Sequence, residues 1–194
     1  MSDFKQILNN IKRYIDLESE DEKQFTSILV EREIKKKEYI VKPGDNFIPI
    51  SFVKKGAFRS FTIDKKGVEH TVRLAIDDWF ITDVTSYMNQ TPAELFIQAL
   101  EDSEIYQMEH SDVEELCSKN QKIQYFFRKI TEKAFAFSQK RILSNLKKTA
   151  KERYLEFQKR YPEISKKIPQ YVLASYLRMT PEFLSKIRKE ISKS

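Results

Sequence analysis

The chain has only three glycines, Gly44, Gly56 and Gly67, and each sits in a turn signal: KPGD, KKG and DKKG. Glycine tolerates the positive φ that tight corners demand, so this clustering marks hairpins. Around them run short stretches that alternate apolar and polar residues, at 38–41, 48–53, 57–63 and 68–76. Two more, at 96–100 and 105–108, continue the pattern. Short strands at such spacing predict a small barrel or sandwich. From Asp112 onward the apolar residues recur at helical spacing instead. The expected class is therefore α+β, with a strand-rich first half and a helical second half.

Two helices precede the strands. Residues 4–14 place Phe4, Ile7, Leu8 and Ile11 on one face, and Ser19 with Glu22 forms a capping-box signature for a helix ending near Leu29. After the strands, a short helix is predicted over 112–118 and a long one over 121–146. Within the long helix Ile123, Ile130 and Phe137 repeat every seven residues, with Phe127 and Ala134 beside them. That pattern predicts a coiled-coil-like dimer seam, fraying at Arg141. The competing reading is a helix packed only on its own barrel. Lys147–Lys148–Thr149 reads as a hinge. Residues 150–161 form another helix, ended by Pro162, and 163–168 a link.

The segment PQYVLASYLRMTPEFLSKIRKEI, residues 169–191, reads as a helix-turn-helix. A first helix over 170–177 is followed by a corner at Arg178–Met179–Thr180. A second helix starts at Pro181 with Thr180 as N-cap, and Pro suits the first helical position because its missing N–H is unpaired there anyway. Ala174 is small where the helices cross. Leu184, Ile187 and Ile191 share one face, and Glu182, Ser185, Lys186 and Lys189 the other. The second face is short, polar and basic, as suits a DNA major groove. Helix-turn-helix corners usually carry Gly where Arg178 stands, so a steric cost is expected there.

Charge follows the same division. From Lys140 to Ser194 there are 15 Lys and Arg against 5 Asp and Glu, a net +10, where the whole chain carries +6; residues 1–139 are therefore −4. A basic tail on an acidic body is the footprint of polyanion binding. Clusters such as Lys147–Lys148 and Lys166–Lys167 come with no long apolar run or lipidation motif, so a membrane partner is not expected. The N-terminus is mixed and charged, unlike a signal peptide, and a single cysteine, Cys117, allows no intrachain disulfide. A cytoplasmic location is the expectation. One Cys and two separated histidines, His70 and His110, also leave no metal or iron–sulfur signature, and no cofactor is expected. No GxSxG, P-loop, HExxH or Cys–His pair is present to carry enzymatic chemistry.

Helices, small β-barrel, long helix and helix-turn-helix, in that order and with KPGD in the first hairpin, resemble the Crp/Fnr family of bacterial transcription regulators over essentially the full length. DDWFITD is similar to the segment entering that family's nucleotide pocket, and FIQALEDSEIYQM to the strand pair leaving it. The C-terminal IPQ…ASYL…TPE.LS.IRK is similar to a divergent branch. The resemblance implies a double-stranded, jelly-roll-like β-roll sensor domain over 1–118. It also implies a dimerisation helix and hinge over 119–148, and a helix-turn-helix DNA-binding domain over 149–194. It implies a homodimer on a double-stranded DNA operator, with RNA polymerase as a further partner. Thr180, Glu182, Ser185, Lys186 and Lys189 would form the DNA-binding face, with Glu182 and Lys186 reading bases. Pro181 falls where many members place a DNA-contacting Arg.

The pocket departs from the family's nucleotide binders. Those have Gly-Glu and then Arg-Ser or Arg-Thr, Glu holding the ribose and Arg the cyclic phosphate. The aligned residues here are Thr82–Asp83 and Ala93–Glu94. Losing Arg removes the bidentate phosphate clamp. Glu94 would add like-charge repulsion of about 4 kcal/mol at ~4 Å and an effective dielectric near 20. Cyclic AMP is therefore not expected as a ligand. Arg73 and His70 stand on a neighbouring strand and could replace the lost charge, but read more simply as surface residues. Trp79, Phe80, Tyr87 and Phe96 read as core packing; an apolar or uncharged effector would fit among them, though nothing in the sequence selects one. The alternative function is a ligand-sensing module whose basic tail binds a protein partner rather than DNA.

Overall fold

The computed structural model describes residues 3–192, apart from the side chain of Lys166. Two helices, α1 (Lys5–Ile11) and α2 (Ser19–Ser27), lead into eight strands: β1 (Val30–Ile34), β2 (Tyr39–Val41), β3 (Ile50–Lys55), β4 (Ala57–Ile63), β5 (Glu69–Ile76), β6 (Phe80–Ile81), β7 (Phe96–Ala99) and β8 (Ser103–Met108). A short helix, α3 (Val84–Asn89), interrupts them between β6 and β7. Five helices follow: α4 (His110–Lys119), α5 (Gln121–Lys147), α6 (Ala150–Arg160), α7 (Pro162–Lys167) and α8 (Gln170–Tyr176). The last element is α9 (Pro181–Ile191). The expected α+β class is the observed one.

The strands make two antiparallel four-stranded sheets, ordered β1-β8-β3-β6 and β2-β7-β4-β5. Both sheets feed one core: Val53 and Ile105 from the first meet Phe58, Ile97 and Ala99 from the second. Strand side chains alternate between faces. Along β4, Phe58 enters this core while its neighbour Ala57 enters a second one with the C-terminal helices. The β3–β4 corner needs its glycine. Gly56 has φ +118°, and a Cβ there would lie 2.0 Å from the Ser103 hydroxyl oxygen.

Several boundaries differ from the sequence reading. Strands β1 and β6 and helix α3 were not anticipated. The capping box of α2 sits one residue early: the Asp21 carboxylate accepts from the Glu18 backbone N–H at 2.9 Å, rather than Ser19 pairing with Glu22. The link at 163–168 is largely the short helix α7, opened by Pro162.

Helix α5 requires a larger correction. Ile123 is fully buried in the first core, and Phe127 and Ile130 pack against that core. Phe137 lies edge-on to Tyr161 of the same chain, with ring centroids 6.3 Å apart, and Ala134 is half-buried. Ile123 therefore turns wholly into its own core, while Phe127, Ile130, Ala134 and Phe137 stay half-buried. The apolar residues left open are on another face: Phe135 is 64% exposed, Ile142 58% and Leu146 77%, with Leu143 beside them. Phe135, Ile142 and Leu146 follow the 3–4 spacing of a helix–helix seam, with Gln139 completing the row.

The C-terminal helices dock on the edge of the second sheet. Ala57, Leu74 and Leu100 share a core with α6, α7, α8 and α9. Edge strand β5 is pinned by Ser175 of α8, whose hydroxyl accepts from the Thr71 N–H at 2.8 Å and donates to the Glu69 carbonyl at 2.9 Å. Lys167 pairs with Asp77 at 3.1 Å across the same junction.

Candidate nucleic-acid interface and sensor loop

The helix-turn-helix forms as the sequence anticipates. The corner closes with two bonds, Met179 N–H to the Ala174 carbonyl and Arg178 N–H to the Ser175 carbonyl, both at 3.0 Å. This is the Schellman pattern, whose corner residue must adopt a left-handed conformation. Arg178 does so, at φ +55°, in the place where glycine would be free of strain. The Thr180 hydroxyl then accepts from the Phe183 N–H at 3.2 Å and caps α9. Leu184 and Ile187 are buried, Ile191 is half-buried, and Ala174 is fully buried where the helices cross.

The opposite face of α9 is open. Glu182, Lys186 and Lys189 are exposed, with no ion pair at Lys186 or Lys189 among the described residues. Ser185 differs from its neighbours. It is half-buried, and its hydroxyl accepts from the Gln170 amide, which ties α9 to α8. The exposed polar positions are thus fewer than the sequence pattern marks.

At the loop between β6 and β7, the structure gives Asp83 a role that the sequence reading did not include. Asp83 is buried and caps α3. Its carboxylate accepts from the Glu94 N–H at 2.9 Å, the Leu95 N–H at 3.0 Å and the Ser86 hydroxyl at 3.2 Å. Ala93 is engaged too: its N–H donates to the Asp45 carbonyl and its own carbonyl accepts from the Gly44 N–H, both at 2.8 Å. The backbone donors of this loop, which an anionic ligand would need, already serve an internal anion and the KPGD turn. Glu94 itself is exposed. The negative charge expected from Glu94 is supplied at the loop by Asp83 instead. The neutral polar groups nearby are less engaged. Thr82 Oγ1 and the Tyr87 hydroxyl are buried without a hydrogen-bond partner among the described residues. Burial also pushes the Tyr87 phenol well above its usual range.

Arg73 does not face this loop. It lies at the junction with the C-terminal helices, where burial lowers its pKa against the opposing influence of Tyr176. His70 closes the β4–β5 hairpin through Asp64 at 2.8 Å. The aromatic residues pack structurally: Trp79 on Tyr161, Phe80 on Phe52, Tyr87 on His110 and Phe96 on Phe61. The aspartates are likewise engaged, Asp77 by the Gly56 N–H and Asp78 by Asn10 and Arg13. Among the described residues no group of three or more His, Cys, Asp or Glu is placed to hold a metal ion. No helix among them is long and apolar enough to cross a membrane.

Residues 31–120 match the cyclic nucleotide-binding domain family. The chain is similar in structure to FixK2 from Bradyrhizobium japonicum, at 17% identity and TM-score 0.71, covering 86% of this chain and 85% of that one. It is also similar to CLP from Xanthomonas campestris, described as a c-di-GMP responsive global regulator, at 10% identity and TM-score 0.73, covering 91% and 92%. A third similar structure, from Eubacterium rectale and described under the Crp/Fnr family, has 17% identity and TM-score 0.69, covering 93% and 88%. No curated protein matches the sequence significantly. The fold joins an eight-stranded β-roll to a helix-turn-helix. More particularly, residues 31–120 resemble a cyclic nucleotide-binding domain, and the chain as a whole has the fold of the Crp/Fnr structures.

Proposed function

We propose that this protein is a homodimeric, sequence-specific DNA-binding transcription regulator that does not respond to cyclic AMP. One observation carries the reading: a rigidly capped helix, α9, whose apolar face is buried and whose opposite face presents Lys186, Lys189 and Glu182 to solvent. Thr180 and Ser185 position that helix, while Lys186 and Glu182 reach base edges and Lys189 a phosphate. The protein comprises a sensor over 1–118, a long helix and hinge over 119–148, and the DNA-binding unit over 149–194. The two copies associate through Phe135, Ile142 and Leu146 of α5. A two-fold dimer presents two equivalent recognition helices, so the operator is an imperfect palindrome with half-sites about one helical turn apart. Such a regulator works in the cytoplasm and acts on RNA polymerase from its operator.

The sensor loop supports the second half of the proposal. Asp83 occupies the loop donors, and Ala93 offers no side-chain clamp. An effector at this loop is uncharged, meeting Thr82 and Tyr87 rather than an arginine. In-vitro selection of bound duplexes tests the reading. A palindromic consensus is expected, with Lys186→Ala relaxing base preference within each half-site. Lys147→Ala should weaken all sequences alike and reduce the salt slope by about one, as loss of a phosphate contact does. Recovery of random sequence would remove sequence-specific regulation as the function.

A further inference from the structure

A groove lies between the C-terminal half of α5, helix α6 and the end of α8, far in sequence from the sensor loop. It encloses about 70 Å³, enough for roughly five waters at ~10–15 Å³ each. Four cations line it: Lys140 and Arg141 from α5, Arg153 and Arg160 from α6. Its one carboxylate, Glu156, is held by Lys148 at 2.8 Å and by the Ser144 hydroxyl at 3.2 Å. None of the four cations has an ion pair within 4 Å among the described residues.

The arginines are held by neutral groups instead. Arg153 donates to the Leu177 and Lys148 carbonyls at 3.1 and 2.7 Å. Arg141 donates to the Thr71, Val72 and Tyr176 carbonyls. Its Nε is buried with no partner among the described residues. Burial lowers the Arg141 pKa; Tyr176 opposes the shift, and Arg178 and Arg73 reinforce it. Positive charge is therefore in excess here, four cations against one carboxylate, whose pKa is lowered first by Lys148 and also by Arg160. The walls are aromatic. The Arg160 guanidinium lies 5.4 Å from the Tyr161 ring and 5.8 Å from Phe137, and that of Arg141 4.1 Å from Tyr176.

Arginines in excess of carboxylates, set on aromatic walls, suit an anion that carries a ring. Guanidinium forks match phosphate oxygens, and ring faces accept a second ring. We propose that this groove binds a small phosphate-bearing aromatic molecule, its phosphate on Lys140 and Arg160 and its ring against Phe137 and Tyr161. Since α5 is the long helix and α6 and α8 belong to the helix-turn-helix unit, such a ligand bridges the two and fixes the angle between them.

Calorimetry on the full chain without DNA tests the site independently of the function proposed above. Phenyl phosphate and inorganic phosphate are the probes. Phenyl phosphate should bind about tenfold more tightly than inorganic phosphate, since only it engages the aromatic wall. Arg160→Gln should weaken phenyl phosphate by about tenfold or more, with an unchanged melting temperature, and Arg160→Lys should restore part of the loss. Lys129→Gln, remote from the groove, should change nothing. Absence of phenyl phosphate binding at concentrations of about 10 mM would overturn the proposal, as would binding indifferent to both Arg160→Gln and Lys140→Gln. If these variants weaken only duplex DNA while phenyl phosphate does not bind, the cations serve the DNA backbone and the small-molecule site does not exist.

Discussion

Replacing Leu146 by Glu should convert the proposed dimer to folded monomers. Full burial of a Leu, Ile or Phe side chain stabilises by roughly 1.5–3 kcal/mol. At exposures of 64%, 58% and 77% for Phe135, Ile142 and Leu146, covering each contributes about 1–2 kcal/mol. Two protomers bring two copies of every residue. Leu146→Glu therefore removes about 3 kcal/mol, and it sets two carboxylates in the seam. The dimer dissociation constant should rise roughly 100-fold or more. Sedimentation equilibrium reads this directly, with circular dichroism showing retained structure. Ile130→Glu provides the contrast. Ile130 packs against the core of its own protomer, so charge there should lower the melting temperature rather than release a stable monomer. An unchanged dimer in Leu146→Glu, or a folded Ile130→Glu monomer melting like the parent, would refute this choice of face.

Arg178→Gly should stabilise the protein, because the left-handed corner costs a non-glycine residue about 1 kcal/mol; scanning calorimetry should show a rise of roughly 2–4 °C for a chain of this size. Asp83→Ala should leave the Glu94 and Leu95 N–H groups unpaired at about 1–3 kcal/mol each, a loss visible as a melting temperature lower by roughly 4–24 °C. In the unmodified protein, calorimetry should detect no cyclic AMP or cyclic GMP binding tighter than about 1 mM; low-micromolar affinity would contradict the role given to Asp83. Cys117, whose thiol burial pushes up to about 11, should alkylate at pH 7.5 about 100-fold more slowly than a free cysteine, because its thiolate fraction is so low.

Much of the fold can be read from local signals. The glycine corners, the Thr180 cap and the small Ala174 each dictate geometry within a few residues. Arg178 is the instructive case, since a residue unsuited to the corner is held there by two backbone bonds and by burial of the helices on either side. What escaped the sequence depends on distant partners. Strand β1 reads VEREI, with one buried residue, and acquires its form by pairing with β8. Strand β6 spans two residues, too few for alternation. The face of α5 was ambiguous because two apolar rows run along the same helix, and only the packed barrel decides which turns inward. Asp83 ends the DDWFITD segment, but nothing in that segment discloses its partners. Its role arises because residues 94 and 95 return to it across eleven positions of chain. The hinge groove is invisible in sequence for the same reason, being assembled from three helices.

The most direct test of the account compares a selected operator with a scrambled duplex of equal length and composition, by fluorescence anisotropy at near-physiological salt. A regulator reading bases through α9 should prefer the operator by about 1,000-fold or more, and Lys186→Ala should bring the two affinities closer together while both remain salt-dependent. Equal affinity for operator and scrambled DNA would contradict the central claim.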